Sequence, residues 1–332
     1  MSRTIRWGII GLGKIAHKFA SDLATVENAA LVAVASTSQA RAEEFAKEYG
    51  VADAYGNYEE IFLTKDLDVV YIATPHTLHK ECTILCLQNG VGVLCEKPFA
   101  MNESEAQEMF DLAKEKNLFL MEALWTRFLP TTEKTLELLR NDAIGDVKNI
   151  TADFGFIPEF VPDRRVFNPN LGGGAFLDIG IYPAFLSLLI LGYPSDILAD
   201  ATMGSTGVDE TTGFIYKYDE MAMANLSCTF GANTRTEAYI YGTKGYIHIK
   251  GMFHMSTQIT LVLNEDKENP QVFDFPRETH GYDFEAREVN DCIEKGLLES
   301  PKWSLKQSKK LIHLLDKTRQ KAGIVYETDR YF

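Results

Sequence analysis

The stretch Ile5-Arg6-Trp7-Gly8-Ile9-Ile10-Gly11-Leu12-Gly13-Lys14-Ile15-Ala16 decides the fold of the first part of the chain. Ile5 to Ile10 is a short apolar run that reads as a buried strand. After Gly13 the apolar residues Ile15, Phe19 and Leu23 recur at helical spacing. Between strand and helix lies Gly-x-Gly-x-x-Ala, at Gly11 to Ala16. In such a turn the first glycine permits the tight reversal, the second lets a pyrophosphate approach the backbone, and a small third residue lets helix and strand pack. The free N–H groups and the dipole at the helix N-terminus favour an anion there. A structural turn can use the same glycines, so the motif takes its weight from what surrounds it.

Outward from that turn the two periods alternate. Strands are expected at Leu31 to Ala35, Asp68 to Ile72, Val91 to Cys95 and Leu118 to Met121. Helices are expected at Ala40 to Tyr49, His79 to Asn89 and Ser104 to Lys116, with Gly50 and Gly90 as stops. Continuous apolar strands alternating with helices predict an α/β, doubly wound parallel sheet covered on both faces, a Rossmann domain over residues 1–122. Past Glu122 the strands lengthen, alternate polar with apolar and follow one another directly. Lys148 to Phe156, Thr211 to Tyr218, Ala222 to Phe230, Thr236 to Tyr241, Tyr246 to Lys250 and Gln258 to Leu263 read as half-exposed antiparallel strands. With helices near Ala175 to Leu191, Asp283 to Lys295 and Leu305 to Lys321, residues 123–332 are expected to form an α+β domain with a large, mostly antiparallel open sheet.

Composition narrows the function. The 332 residues carry 33 Lys and Arg against 47 Asp and Glu, a net charge of −14, so a nucleic-acid polyanion is not the expected partner. The apolar runs, such as Ala184 to Leu191, fall short of the ~20 residues a membrane span needs, so no membrane is expected. Glycines at 8, 11 and 13 interrupt any signal-peptide core, and the mature chain is expected to start at Met1 and stay in the cytoplasm. The five cysteines, Cys82, Cys86, Cys95, Cys228 and Cys292, lack CxxC spacing and read as small buried hydrophobes. No cluster of His, Cys or Asp has ligand spacing, so no metal is expected.

Three segments carry the candidate chemistry. At the end of the second strand, Ser36, Thr37, Ser38 and Arg41 offer hydroxyls and a guanidinium with no acidic residue until Glu43. That favours the 2′-phosphate of NADP over NAD, although Ser38 also suits a helix N-cap. At the carboxyl edge of the sheet stand Thr74-Pro75-His76-Thr77-Leu78-His79 and Glu96-Lys97-Pro98. A lysine there can act as an acid or stabilise a neighbouring anion, while Glu96 can equally be in a surface salt bridge and His79 a cap or packing residue. In the second domain, Gly172-Gly173-Gly174-Ala175-Phe176-Leu177-Asp178-Ile179-Gly180-Ile181-Tyr182-Pro183 sets Asp178 and Tyr182 four apart, on one face of a helical turn. A tyrosine becomes a usable acid or base beside a cation, which Lys97 can supply. The plainer reading is an Asp that favours the helix dipole and a Tyr that packs.

Taken together, these segments resemble the glucose-fructose oxidoreductase, inositol dehydrogenase and MocA (Gfo/Idh/MocA) family of dinucleotide-dependent oxidoreductases over nearly the whole chain. Cys95 to Pro98, Leu120 to Phe128 and Asp178 to Tyr182 look closest to the branch holding the dimeric dihydrodiol dehydrogenases and NADP-dependent D-xylose 1-dehydrogenases. The resemblance implies catalytic roles for Lys97, Asp178 and Tyr182, with Tyr182 as acid/base and Asp178 on substrate hydroxyls. Cofactor residues would be Gly11, Gly13, Lys14, Ile15, Ser36, Thr37, Ser38, Arg41, Thr74, Pro75, His79, Glu96 and Lys97, for NADP with NAD possible. Trp125, Arg127 and Phe154 would line the substrate pocket. It further implies a homodimer or higher homo-oligomer through the second-domain sheet, and a Lys97-Pro98 bond that is often cis. Met252-Phe253-His254 and Glu278 to Tyr282 depart from the branch's aromatic pattern, which leaves the substrate open among aldoses, polyols and cyclic trans-diols. Two alternatives stand beside this reading: a noncatalytic dinucleotide-binding sensor of the same fold, and a sugar–sugar oxidoreductase with tightly held cofactor.

Overall fold

The computed structural model describes residues 3–219 and 221–331. The chain opens as β1 (Ile5–Ile10), α1 (Lys14–Leu23), β2 (Ala29–Ala35), α2 (Gln39–Tyr49), β3 (Asp53–Tyr55), β4 (Val69–Ile72), α3 (His79–Gln88), β5 (Gly92–Glu96), α4 (Glu103–Lys116) and β6 (Leu120–Ala123). There follow α5 (Pro130–Arg140), β7 (Val147–Gly155), α6 (Ile181–Leu191), β8 (Asp196–Met203), β9 (Asp209–Tyr218) and β10 (Ala222–Thr229). The chain then continues through β11 (Ala238–Gly242), β12 (Gly245–Ile249), β13 (Gln258–Leu263), β14 (Asp266–Asp274), α7 (Asp283–Glu294) and α8 (Leu305–Ala322).

Two compact units result, and they are not consecutive in sequence. One runs to Phe128 and resumes at Arg277–Lys309; the other holds Leu129–Pro276 and the chain from Lys310 onward. The expected single boundary at 122/123 is therefore replaced by three crossings. The reason lies in polar anchors that hydropathy does not register. Asp22, buried at the end of α1, accepts from the backbone N–H groups of His280, Gly281 and Tyr282 at 3.0, 2.9 and 2.8 Å. The Trp7 indole donates to Asn290 of α7 at 3.0 Å, and Leu120 N–H donates to the Leu298 carbonyl at 3.0 Å.

In the first unit six parallel strands are ordered β3-β2-β1-β4-β5-β6, the doubly wound arrangement that the apolar runs imply. Ile10 of β1 aligns with Ala35 on one side and Ile72 on the other, so the strands end together at the carboxyl edge. Trp7, Phe19 and Tyr71 are fully buried, and the Phe19 and Tyr71 rings stack 3.8 Å apart. Each such side chain contributes roughly 1.5–3 kcal/mol of hydrophobic stabilisation.

In the second unit eight strands are ordered β14-β13-β12-β11-β7-β10-β9-β8, antiparallel except for the β7/β10 pair. Strands β9 to β12 alternate buried and more exposed residues, as a sheet covered on one face requires. The helix expected from Ala175 to Leu191 starts instead with a π-helical turn, Phe176–Gly180, before α6. Pro183, in the first turn of α6, has no N–H to continue the ladder, and the turn before it widens. The whole stretch Pro169–Leu191 has the length and composition to cross a membrane, which the count of uninterrupted apolar residues missed. Its most apolar window is 83% buried, as in the core helix of this unit.

Candidate functional site

The first unit presents its candidates at the carboxyl edge of the parallel sheet. Gly11 has φ +89°, and a Cβ there would stand 2.8 Å from the Ala73 carbonyl and from Thr74 N, so only glycine lets the β1–α1 turn lie against the end of β4. A Cβ on Gly13 would meet nothing within 4 Å. Gly13 is the N-cap of α1 and supplies no side-chain cap, so the first N–H groups of the helix have no side-chain acceptor from that position. Lys14 is exposed, Ile15 half-buried, and Ala16 fully buried under the turn. The backbone side of this turn is open to an anion, which is the fit that a pyrophosphate requires.

Beyond β2, Ser36 is buried and its N–H donates to the Tyr55 carbonyl at 3.0 Å. Thr37 and Arg41 are exposed. Ser38 sits at the N-cap of α2, yet its hydroxyl makes no cap hydrogen bond, so capping does not account for the side chain. The hydroxyls and the guanidinium remain suited to a phosphate.

The Thr74 to His79 and Glu96 to Pro98 segments are tied to each other. His79 is fully buried, with Nδ1 2.8 Å from the Pro98 carbonyl and Nε2 3.1 Å from the Thr74 carbonyl. His79, expected among the cofactor contacts, thus bridges the two loops through its ring nitrogens. Pro75 is half-buried, and the Lys97-Pro98 bond is cis. Glu96 is buried, accepting from the Tyr71 hydroxyl on one oxygen and from Lys97 N–H at 3.1 Å on the other. Burial and the adjacent Glu96 charge push the Tyr71 phenol well above its ordinary range. The α7 carboxylate of Glu285, fully buried with no hydrogen-bond partner on either oxygen, is likewise held well above the usual carboxylate range by burial, then by Glu96 and Asp22. Lys97 itself is half-buried.

Trp125 is buried and stacks on Tyr282 at 4.5 Å. Tyr282 was not among the candidates, and no spacing marks it, because the two are brought together by the return of residues 277–309 to this unit. Arg127, expected to line the pocket, is buried, and its Nε donates to the Lys302 carbonyl at 3.0 Å. Beside it in sequence, Glu122 is buried against the Trp303 indole at 3.0 Å, and burial raises its carboxyl to about 6.

The second unit holds the other group. Tyr182 is buried at the start of α6, with its ring 5.7 Å from Phe154 of β7 and 4.8 Å from His254. Phe154 and His254 stack 4.3 Å apart. Asp178, on the π turn, is gripped by Arg165, whose two terminal nitrogens reach its two oxygens at 3.0 and 3.2 Å. Arg165 was not foreseen, being one arginine in a polar loop with no motif. Phe176 N–H, at the head of the turn, donates to Asp209 Oδ2 at 2.7 Å. Burial raises the Asp209 carboxyl to about 6 against the hydrogen bonds that lower it. The five cysteines, Cys82, Cys86, Cys95, Cys228 and Cys292, are all buried and form no disulfide. Among the described residues no group of His, Cys, Asp and Glu could hold a metal ion.

Comparison with known proteins identifies relatives for both parts of the chain. Residues 5–124 match the oxidoreductase family with an NAD-binding Rossmann fold, and residues 132–248 match the GFO/IDH/MocA C-terminal domain. The trans-1,2-dihydrobenzene-1,2-diol dehydrogenase of Xenopus tropicalis is 39% identical over 333 residues, 97% of this chain and 99% of its own. Its Homo sapiens counterpart is 34% identical over 98% of this chain and 99% of its own. A 3-ketoreductase from Actinomadura kijaniata, crystallised with NADP and TDP-benzene, superposes with a TM-score of 0.87 at 25% identity, covering 96% of this chain and 98% of that one. An aldose-aldose oxidoreductase from Caulobacter crescentus shares the fold, with a TM-score of 0.87 at 23% identity over 97% and 98%. The chain is thus an oxidoreductase of the GFO/IDH/MocA family.

Proposed function

We propose that the protein is an NADP(H)-dependent dehydrogenase or reductase of a small polyhydroxylated substrate, an aldose, polyol or cyclic trans-diol. The observation that carries this reading is the full-length similarity to proteins named trans-1,2-dihydrobenzene-1,2-diol dehydrogenase, joined to a β1–α1 turn that admits a pyrophosphate. Gly11, Gly13, Lys14 and Ile15 would hold the pyrophosphate, and Ser36, Thr37, Ser38 and Arg41 the 2′-phosphate. When bound, the nicotinamide supplies the site that accepts or donates the hydride.

Tyr182 is the acid/base of this proposal. In the oxidative direction the substrate carbon loses its C–H pair as hydride while the hydroxyl proton passes to the Tyr182 phenolate, leaving a carbonyl. Lys97 supplies the positive charge that stabilises the phenolate, and Asp178 orients the substrate hydroxyls. Trp125 and Phe154 serve as apolar walls. The departure at His254 from an aromatic pattern favours a hydroxylated ring over a bare aromatic one, since an imidazole can donate or accept where an arene cannot. The buried, unpaired cysteines support a reducing cytoplasmic setting, and the open face of the eight-stranded sheet supports a homo-oligomer.

The test is absorbance at the reduced-nicotinamide band, mixing the protein with NADP⁺ or NAD⁺ and a panel of aldoses, polyols and cyclic trans-diols. A signal with NADP⁺ that disappears in Tyr182→Phe supports the reading. Turnover that survives in Tyr182→Phe removes that residue from the mechanism.

A further inference from the structure

We propose that Asp209 and Tyr326 are positioning residues that fix the backbone from Gly173 to Phe176 and, through it, Asp178 and Tyr182. The inference rests on the roles given to Asp178 and Tyr182 above. Asp209 opens β9, and Tyr326 lies in the segment after α8, so two elements distant in sequence meet at one turn. From one side the Tyr326 hydroxyl donates to the Gly173 carbonyl at 2.7 Å. From the other, Phe176 N–H donates to Asp209 Oδ2 at 2.7 Å, and the same oxygen accepts from the Thr212 hydroxyl at 2.9 Å.

Gly174 lies between these two bonds with φ +122°, and a Cβ there would stand 2.3 Å from Asp209 Oδ1 and 3.0 Å from the Tyr326 hydroxyl. The clamp therefore occupies the volume that any larger residue at 174 would need. Asp209 is fully buried, and its Oδ1 has no hydrogen-bond partner. Burying a half-satisfied carboxylate is costly, and a helix start can be capped by an exposed serine or threonine at far lower cost. Departures of that kind from local economy concentrate where a site needs rigidity. Tyr326 is itself held: Asp329 Oδ2 accepts from Tyr326 N–H at 2.9 Å and from Arg319 at 2.5 Å, and the Arg319 guanidinium lies 5.2 Å from the Tyr326 ring centre.

The experiment compares Asp209→Ala, Asp209→Asn and Tyr326→Phe in the full chain, by hydrogen exchange of the 172–183 segment and by steady-state kinetics with NADP⁺. Tyr326→Phe is expected to speed exchange there about fivefold, the shift expected of one lost hydrogen bond, with the remaining segments unchanged. Its kcat should fall about tenfold with KM little altered. Asp209→Ala should do both more strongly, and Asp209→Asn, which keeps an acceptor oxygen, should recover most of the loss. Unchanged exchange in Tyr326→Phe overturns the proposal, and this variant decides the matter if Asp209→Ala does not fold. Faster exchange with full turnover also overturns it, provided Tyr182→Phe is inactive. If Tyr182→Phe keeps turnover too, the roles given to Asp178 and Tyr182 have failed instead.

Discussion

Arg165 holds Asp178 in a bidentate pair, with guanidinium-to-carboxylate distances of 3.0 and 3.2 Å. The carboxylate read from sequence as a bare ligand for substrate hydroxyls is thus presented on a fork, with its plane and direction set by the arginine. Lysine keeps the charge but not the fork. Arg165→Lys is expected to lower kcat/KM about tenfold, roughly one charge-assisted hydrogen bond, when assayed with NADP⁺ and the substrate identified from the panel. Its thermal midpoint should hardly move, because the Arg165 side chain is 36% exposed and solvent screens the pair. An unchanged kcat/KM would mean that Asp178 does not depend on its partner.

Lys97→Ala should cut turnover by about 10²-fold or more. Lys97 itself is half-buried, and the anchors on its loop belong to Glu96, Pro98 and His79, so far-ultraviolet circular dichroism should stay close to wild type. Turnover within a few-fold of wild type would take Lys97 out of the chemistry.

Arg41 offers a separate readout for the cofactor. Exposed and next to the uncapped Ser38, it has room to meet a 2′-phosphate. Arg41→Ala is expected to weaken NADPH binding about tenfold and leave NADH binding nearly unchanged. Fluorescence titration with both cofactors checks it; equal losses for the two would argue against a phosphate contact.

The buried carboxyl of Glu122 links stability to pH. Burial raises it from 4.5 to about 6, so between those values the folded chain holds a proton that the unfolded chain has released. Stability from this group is therefore fully present below about pH 4.5 and is lost as pH rises through about 6, at a cost on the order of 2 kcal/mol by pH 7.5. Glu122→Gln should flatten that part of the curve in urea denaturation at pH 5.0 and 7.5. A slope equal to that of wild type would show that Glu122 is not its source.

The parallel sheet was legible because its strands are short, apolar runs between glycine-stopped helices, and the motif at Gly11 to Ala16 named its first turn. What the periodicity missed has physical causes. Strand β14 is almost wholly exposed and carries Pro270, so it has neither the alternation nor the composition of a strand. Strand β8 mixes Asp196 and Asp200 with exposed apolar residues, and β3 is three residues long. Helix α5, with Pro130 at its start, was hidden among threonines. Among the candidates, Lys97, Asp178 and Tyr182 stood out as motif residues, whereas Arg165, Asp209 and Tyr282 act through partners outside their own segments, Asp178, Phe176 and Trp125. One sequence holds no local signal for such pairings.

The return of Arg277–Lys309 to the first unit bears on how such a chain can be rebuilt. A cut after residue 122 would strip Trp7 and Asp22 of Asn290 and the 280–282 backbone, leaving a dinucleotide module with an open seam. Grafting a new substrate unit onto this cofactor unit by gene fusion therefore requires at least two junctions, near Phe128/Leu129 and Pro276/Arg277. The Lys310 crossing within α8 then ties the graft to the original tail. Changes of substrate are for that reason more accessible to this architecture by point substitution inside residues 129–276 than by exchange of whole modules.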